Sequence, residues 1–512
     1  MDHALAGDNN GRWAGSYEYP LDHHVYEDNV KDMILMVRQH PSLLFWCGGN
    51  ELYPKHKLSE MVLMDLPSLL HQYDPGRFYI TSSMSNYTQY DPDFALAPKD
   101  GPYGILLPSE FYVRNPGLTF WNGTRADQLP LSFQPEIGSV SSPSFESLQR
   151  FMSTKNLNQF PGYESPNKMG KAWSFHNYIG FITSNTTWRP QLKKPFNHIH
   201  ALLNGRPANV SEYALASQIV QMQQYHCLFE GFQQFMFQYY TAVIMWKSQS
   251  PWPVLRGALY DSYLSQTGGY WGVRRALASQ IHVQFNLRTF EPTVLNKGSV
   301  DYSTAKGTVL LVRVFFYALD GTLVLVEDRP LSSNTVASNA VVVLNQVQWP
   351  VHVLKGDETL LVRLELSSTL QKDDATRVLA SNFYWSSDPT QPIQQYTDLA
   401  VLHQNVQEWV DVSATLSTPI FSNETDLNTY TVALSLSKKA SNVAMFVQMD
   451  LIDQSTGDRI LPVWFSDNLI CLVPGEARTL TVTTSVAIEE PRQVALRVSG
   501  WNVNRELWAM SS

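Results

Sequence analysis

A chain of 512 residues, 44% hydrophobic and 16% charged, has apolar material for several cored domains, and three is the expectation from length. Its formal charge of -9 and pI near 5.8 exclude the basic face that a nucleic-acid partner requires. No apolar run reaches the roughly 18 residues of a membrane span, and Cys47, Cys227 and Cys471 are too scattered for a disulfide framework or a metal motif, so they read as buried thiols.

Residues 1–25 are polar and Gly-rich and read as a loop. Val30, Met33, Ile34 and Val37 recur at helical spacing, which predicts a helix over 26–39 that Pro41 ends. The run from His40 through Leu43, Phe45, Trp46, Cys47, Gly48 and Gly49 to Glu51 is apolar between a Pro and a Gly pair. It reads as a short strand buried on both faces that ends on a carboxylate. Leu58, Met61, Val62, Leu66, Leu69 and Leu70 predict a helix kinked at Pro67, and Asp74-Pro75-Gly76 turns the chain into a strand at 77–82. Helix, strand, helix, strand in this order indicates a parallel sheet.

After a long loop, the run from Leu131 to Val140 again places a carboxylate, Glu136, at the end of a short apolar stretch. A helix is predicted near 145–155. Residues 156–208 read as irregular and aromatic-rich, with Trp173, His176, Tyr178 and Trp188. A long helix around 210–230 then leads to a strand at 242–249. From about residue 283 the pattern is β. Strands at 308–317 and 322–326 flank the hairpin signal Asp320-Gly321, and others follow at 359–366 and 377–385. Residues 386–395 read as a linker, and strands at 429–437, 443–451, 478–486 and 494–498 suggest a second sandwich. Neither β region carries a catalytic cluster.

Carboxylates on two strand ends are the minimum equipment for cleaving a glycosidic bond. The segments Trp46-Cys47-Gly48-Gly49-Asn50-Glu51 and Phe133-Gln134-Pro135-Glu136-Ile137-Gly138-Ser139 resemble the acid/base and nucleophile segments of glycoside hydrolase family 2. The nearest likeness is to its endo-β-mannosidases of N-glycan cores, with the exo-β-D-glucosaminidases beside them. The segment Asp100-Gly101-Pro102-Tyr103-Gly104-Ile105 and the stretch from Lys247 to Gly257 resemble the endo-β-mannosidase branch too.

The resemblance implies Glu51 as acid/base and Glu136 as nucleophile, about 5 Å apart in a retaining mechanism. It implies Asn50 on the sugar 2-hydroxyl, Trp246 as an aromatic floor, and Trp252 and Arg256 at outer subsites. Trp46, Tyr103, Trp173 and His176 complete the substrate-binding candidates. A core position is the plainer alternative for Trp246, and a loop cap for Asn50.

The implied fold is α/β plus all-β: the C-terminal part of a (β/α)8 TIM barrel, strands 4 to 8, in residues 1–282. Two immunoglobulin-like β-sandwich domains follow, at 283–388 and 389–512. The loop Gly7-Asp8-Asn9-Asn10-Gly11-Arg12 resembles the one after the third barrel strand, so the earlier strands are expected outside this chain, N-terminally truncated relative to the family.

The implied function is a retaining β-glycosidase that hydrolyses β-mannosidic linkages, with Man-β-1,4-GlcNAc of N-glycan cores as substrate. The alternatives are an exo-β-D-glucosaminidase, an exo-β-mannosidase, or an inactive carbohydrate-binding fragment. Related exo-β-D-glucosaminidases place an acidic residue before the acid/base to meet the substrate ammonium, and the neutral Asn50 suits a hydroxyl better.

No phosphate loop, His/Cys metal spacing or Gly-x-Ser-x-Gly elbow appears, so no cofactor or metal is expected. The expected partner is an oligosaccharide or a glycoprotein glycan, with neither nucleic acid nor membrane, and the oligomeric state is left open. The start Met1-Asp2-His3-Ala4 shows no signal peptide. Sequons at Asn86, Asn122, Asn185, Asn209 and Asn423 leave a secretory or a vacuolar/lysosomal route open.

Overall fold

The spacing of Val30 and Ile34 is realised in α1 (His23–Val37), whose N-terminus is capped by Asp22, its carboxylate accepting from Val25 N–H at 3.1 Å. The structure, a computed structural model, describes residues 20–49, 61–81, 107–113, 133–138, 142–161, 169–176, 195–255, 258–305, 307–350, 359–370, 376–386, 397–486 and 494–510. The buried face of α1 packs on Trp46, Met61, Leu66 and Leu70, which tie it to the next strand and helix.

Strands β1 (Phe45–Cys47) and β2 (Phe78–Ile80) pair in parallel, with Trp46 opposite Tyr79. The expected kink at Pro67 takes another form. A π-helical turn, Met61–Asp65, runs into α2 (Leu66–Tyr73), and Pro67 sits in the first turn of α2, where its missing N–H breaks no helical bond. Further on, β3 (Phe133–Ile137) pairs with β4 (Ala242–Met245). Parallel β-helix-β connectivity is therefore present, but among the described residues these four strands form two two-stranded sheets and no closed barrel. Residues 1–101, 124–137 and 241–244 group as one compact unit.

The second unit comprises residues 102–123, 138–240 and 245–512. Its α-helices among the described residues are α3 (Phe145–Phe151), α4 (Thr154–Leu157), α5 (Lys171–His176), α6 (Pro195–Leu202), α7 (Val210–Gln233), α8 (Gly268–Leu277) and α9 (Thr397–Gln404). The stretch expected to be irregular thus holds α5 and α6, which are too short to impose a periodic pattern on the sequence. Asn209 caps α7 by accepting from Glu212 N–H at 2.9 Å, and nearly every residue from Tyr213 to Gln233 is buried.

Helix α8 has no counterpart in the sequence reading, because Gly268, Gly269 and Gly272 depress its helix propensity. The first of these glycines has a positional cause. A Cβ at Gly268 would lie 1.9 Å from the carbonyl oxygen of Gln218, so only glycine lets α8 close onto α7.

The β part follows the period-2 pattern. Strands Thr376–Ser386, Leu360–Leu370, Thr308–Tyr317 and Leu323–Pro330 form an antiparallel sheet in that order. Leu310, Val312, Val314 and Phe316 point inward from it. The hairpin at Asp320-Gly321 closes with Gly321 at φ +85, a left-handed conformation that glycine takes without strain. A three-stranded sheet joins Ala340–Val343, Pro292–Asn296 and Ile281–Phe285.

Beyond it, Leu427–Leu436 anchors a five-stranded sheet and Ala444–Asp453 lies within a four-stranded one. Tyr430, Val432, Leu434 and Leu436 are buried from the first and Val447, Met449 and Leu451 from the second, in one core that also takes in α7 and α8 residues. Of the linker expected at 386–395, Ser386 ends the strand Thr376–Ser386 and the rest lies outside the described residues. All three cysteines are buried and none is in a disulfide.

Candidate active site

Gln134 and Glu136 share one face of β3. Gln134 is buried, whereas Glu136, nearer the strand end, is half-buried, so this face opens toward its C-terminal end. The start of β3 is fixed against β1 by the rings of Phe45 and Phe133, edge to face with centroids 5.3 Å apart. Beyond β1, Gly48 N–H donates to the Ile80 carbonyl at 2.8 Å and extends the parallel ladder. A Cβ at Gly48 would sit 2.4 Å from both the Thr81 carbonyl oxygen and the Tyr79 hydroxyl, which requires the first member of the Gly pair. Asn50 and Glu51 come directly after this pair. They, with Tyr103 and Arg256, lie outside the described residues.

Trp46 has no exposed surface. Its indole N–H donates to Asp74 at 2.8 Å, Asp74 is ion-paired with Arg77 at 2.7 Å, and Arg77 also donates to the carbonyls of His40 and Leu43. This chain of bonds clamps the entry to β1. Trp173 is likewise sealed, its N–H donating to the Asn156 carbonyl at 2.9 Å and its ring edge-on to Tyr213. Buried rings with their N–H groups engaged present no face to a sugar, and the expectation of direct contact at both positions is corrected accordingly.

In the second unit, His176 ends α5 half-buried, with Nδ1 2.7 Å from the Pro253 carbonyl oxygen, and Leu255 N–H donates back to the His176 carbonyl. This holds α5 against the loop that carries Trp252. His176, Trp252 and Phe175 form one aromatic cluster with centroids 5.1–6.1 Å apart, in which Phe175 is 74% and Trp252 40% exposed. Sequence reading missed Phe175. The signal was present, because Phe175 lies two positions from Trp173 on a helix, so a buried Trp173 turns Phe175 outward. Trp246, directly after β4, is half-buried and followed by a cis peptide to Lys247, whose ammonium lies 5.5 Å from the indole centroid.

Sequence reading also passed over Glu230, on α7. It is completely buried and bonded by Tyr112 at 2.8 Å, His226 at 2.9 Å, His282 at 3.1 Å, Asn382 at 2.7 Å and Tyr384 at 2.8 Å. Burial alone would raise its pKa. The attraction of His226 and the hydrogen bonds from His226 and His282 outweigh burial and hold it well below the usual carboxylate range. Nearby, burial pulls the Lys297 ammonium down to about 8 against the opposing attraction of Glu230. A group of three or more His, Cys, Asp or Glu able to hold a metal ion does not occur among the described residues.

Residues 385–503 match the family model described as the exo-beta-D-glucosaminidase Ig-fold domain. Over 99% of its length the chain is 27% identical to a mannosylglycoprotein endo-beta-mannosidase of Lilium longiflorum, of which it covers 57%. An exo-beta-D-glucosaminidase of Streptomyces avermitilis is 26% identical over 97% of the chain and 51% of its own length. In fold, the exo-chitosanase CsxA of Amycolatopsis orientalis matches with a TM-score of 0.72 at 22% identity, over 98% of this chain and 55% of that one. A beta-D-mannosidase from Dictyoglomus thermophilum matches with a TM-score of 0.62 at 16% identity, over 95% of this chain and 52% of that one. The chain spans about half the length of the curated relatives it matches. By sequence and by fold the chain is similar to glycoside hydrolases named as endo-beta-mannosidases and exo-beta-D-glucosaminidases.

Proposed function

We propose that this chain carries the catalytic carboxylates of a retaining β-glycosidase that hydrolyses β-mannosidic linkages, with Man-β-1,4-GlcNAc of N-glycan cores as its substrate. The observation that carries the reading is the Phe45–Phe133 contact. It brings into contact two strands of separate sheets, one leading to Glu51 and the other carrying Glu136, and Glu136 stands where its face of β3 opens. The likeness to the endo-β-mannosidase along nearly the whole chain supports the same reading.

Glu51 protonates the leaving oxygen while Glu136 attacks the anomeric carbon to form a covalent glycosyl-enzyme. Glu51 then deprotonates the water that releases the sugar. Asn50 donates to the 2-hydroxyl as the oxocarbenium ion develops, Trp246 floors the sugar, and the Phe175–His176–Trp252 cluster, with Arg256 and Tyr103 as further contacts, receives the sugars beyond the scissile bond. Trp46 and Trp173 act from within the core, holding β1 and α5. The domain division that accompanies this reading is a partial TIM barrel over residues 1–282 and immunoglobulin-like sandwiches over 283–388 and 389–512.

The match of residues 385–503 favours a second reading, an exo-β-D-glucosaminidase. An aryl β-mannoside, an aryl β-glucosaminide and a pyridylaminated N-glycan core, assayed in parallel, separate the two. Cleavage of the core glycan is expected, and cleavage of the glucosaminide alone overturns the mannoside assignment. Binding without turnover of any of the three leaves only a carbohydrate-binding role.

A further inference from the structure

A cleft of about 310 Å³ lies in the second unit between α8, the sheet containing Leu360–Leu370 and the C-terminal strands, within the size range of small-molecule sites. Four guanidinium groups line it: Arg274 and Arg275 from α8, Arg363 from Leu360–Leu370, and Arg478 from Ala477–Thr484. Against them stand Glu476 and Asp467 in the lining, with Glu365 2.8 Å from Arg363.

Glu476 is already saturated. Its Oε1 takes Arg363 Nη1 at 2.9 Å and Arg478 Nε at 2.7 Å, and its Oε2 accepts Val473 N–H at 3.1 Å. The Arg275 side chain is only 8% exposed, and its nearest carboxylate, Asp467, is 3.5 Å away and 45% exposed. Its remaining contacts are neutral: the carbonyls of Asn468 and Leu469, the Met222 sulfur and the Phe383 ring. Arg274 donates Nε to the Ser466 carbonyl at 3.0 Å and has no carboxylate partner among the described residues. The Nη groups of Arg274 and Arg478 have no partner among the described residues, and the Arg363 Nε is buried without one.

The Arg275 charge is held away from water and only partly compensated, which is costly, while the Arg478 side chain, 37% exposed, opens to solvent. The rigid fork of a guanidinium matches the oxygens of phosphate and sulfate. We infer that this cleft binds a small oxyanion, phosphate or sulfate, either free or esterified to a sugar. The ligand would take the uncommitted Nη groups of Arg274 and Arg478 and neutralise the charge that Asp467 leaves on Arg275. This site stands independently of the glycosidase reading.

Isothermal titration of the full chain at constant ionic strength tests it, with inorganic phosphate, inorganic sulfate, glucose 6-phosphate, glucose 6-sulfate and neutral glucose as probes. Saturable binding of the anions is expected, none of glucose, and a loss of affinity of about tenfold or more in Arg274→Gln/Arg478→Gln. Arg313→Gln, which removes an exposed arginine paired with Asp328, is expected to leave the affinity unchanged. Ala380→Glu, which adds a negative charge to the cleft wall without touching an arginine, is expected to abolish binding even if the double variant folds poorly. Tighter binding of the esters identifies a sugar-borne anion, and equal affinity identifies the free ion. The site is overturned if no anion binds above the level of chloride, or if Ala380→Glu binds as the unaltered chain does.

Discussion

Two glutamates in this chain differ in how far the fold encloses them, and in what that leaves exposed to a ligand. Glu230 is enclosed in α7, and five side chains satisfy both of its oxygens. Glu136 stands half-buried near the end of a five-residue strand whose face opens beside it. A saturated, buried carboxylate is committed to holding segments together, here α7, Ile281–Phe285 and Thr376–Ser386. A carboxylate at an opening strand end has surface to offer a ligand. Sequence alone singles out Glu136 by its place at a strand end and by motif resemblance, whereas nothing in the local pattern around Glu230 announces four partners more than 50 residues away beside the neighbouring His226.

The largest effect expected is on turnover. Glu136→Ala should lower kcat on an aryl β-mannoside by about a thousandfold or more while moving the melting temperature little, read by steady-state kinetics and calorimetry. Retained turnover would remove Glu136 from the nucleophile role. Glu230→Ala should do the reverse, costing about 3–5 kcal/mol because it strands buried donors and a histidine pair. Urea unfolding measures this.

The Glu230 site also sets a pH dependence. The folded pKa of Glu230 is depressed, so its stabilisation is present above the unfolded value of 4.5 and is lost as pH falls through the lower folded value. Burial lowers the pKa of His282 as well, so stability falls further as pH drops below 6.5 and the unfolded chain takes up a proton. Lys297, held down to about 8, works at the other end, and stability rises with pH between about 8 and 10.5. Melting temperatures across this range, with Lys297→Met for the alkaline limb, check each limb separately.

Smaller effects sharpen the same contrast between sealed and open regions. Gly268→Ala forces a methyl group onto the Gln218 carbonyl and should cost about 1–3 kcal/mol, seen as a lower urea midpoint at unchanged slope. Trp46→Phe leaves Asp74 without its indole donor and should cost about 1–2 kcal/mol. The smallest change expected is Phe175→Ala, which should raise KM for the core glycan by a factor of about 3–10, and by less for an aryl mannoside. Equal effects on both substrates would place Phe175 outside the outer subsites.

The sequence by itself determined the local elements whose periodicity is dictated nearby: the amphipathic α1, the strand that runs into Gly48-Gly49, the Asp320-Gly321 hairpin, and the alternating strands of the β part. It also singled out Glu136 through its setting at a strand end. Tertiary structure alone decided which aromatic faces are open, since Trp46 and Trp173 look as able to meet a sugar as Trp252 until burial separates them. It alone formed α8, where glycines poor in helix propensity are compensated by contact with α7, and it alone assembled Glu230 with partners up to 154 residues away. Hydrophobic periodicity and turn chemistry act between near neighbours and so are written locally. Burial, saturation of hydrogen bonds and convergence of charge depend on which distant segments meet, and only the folded chain fixes that.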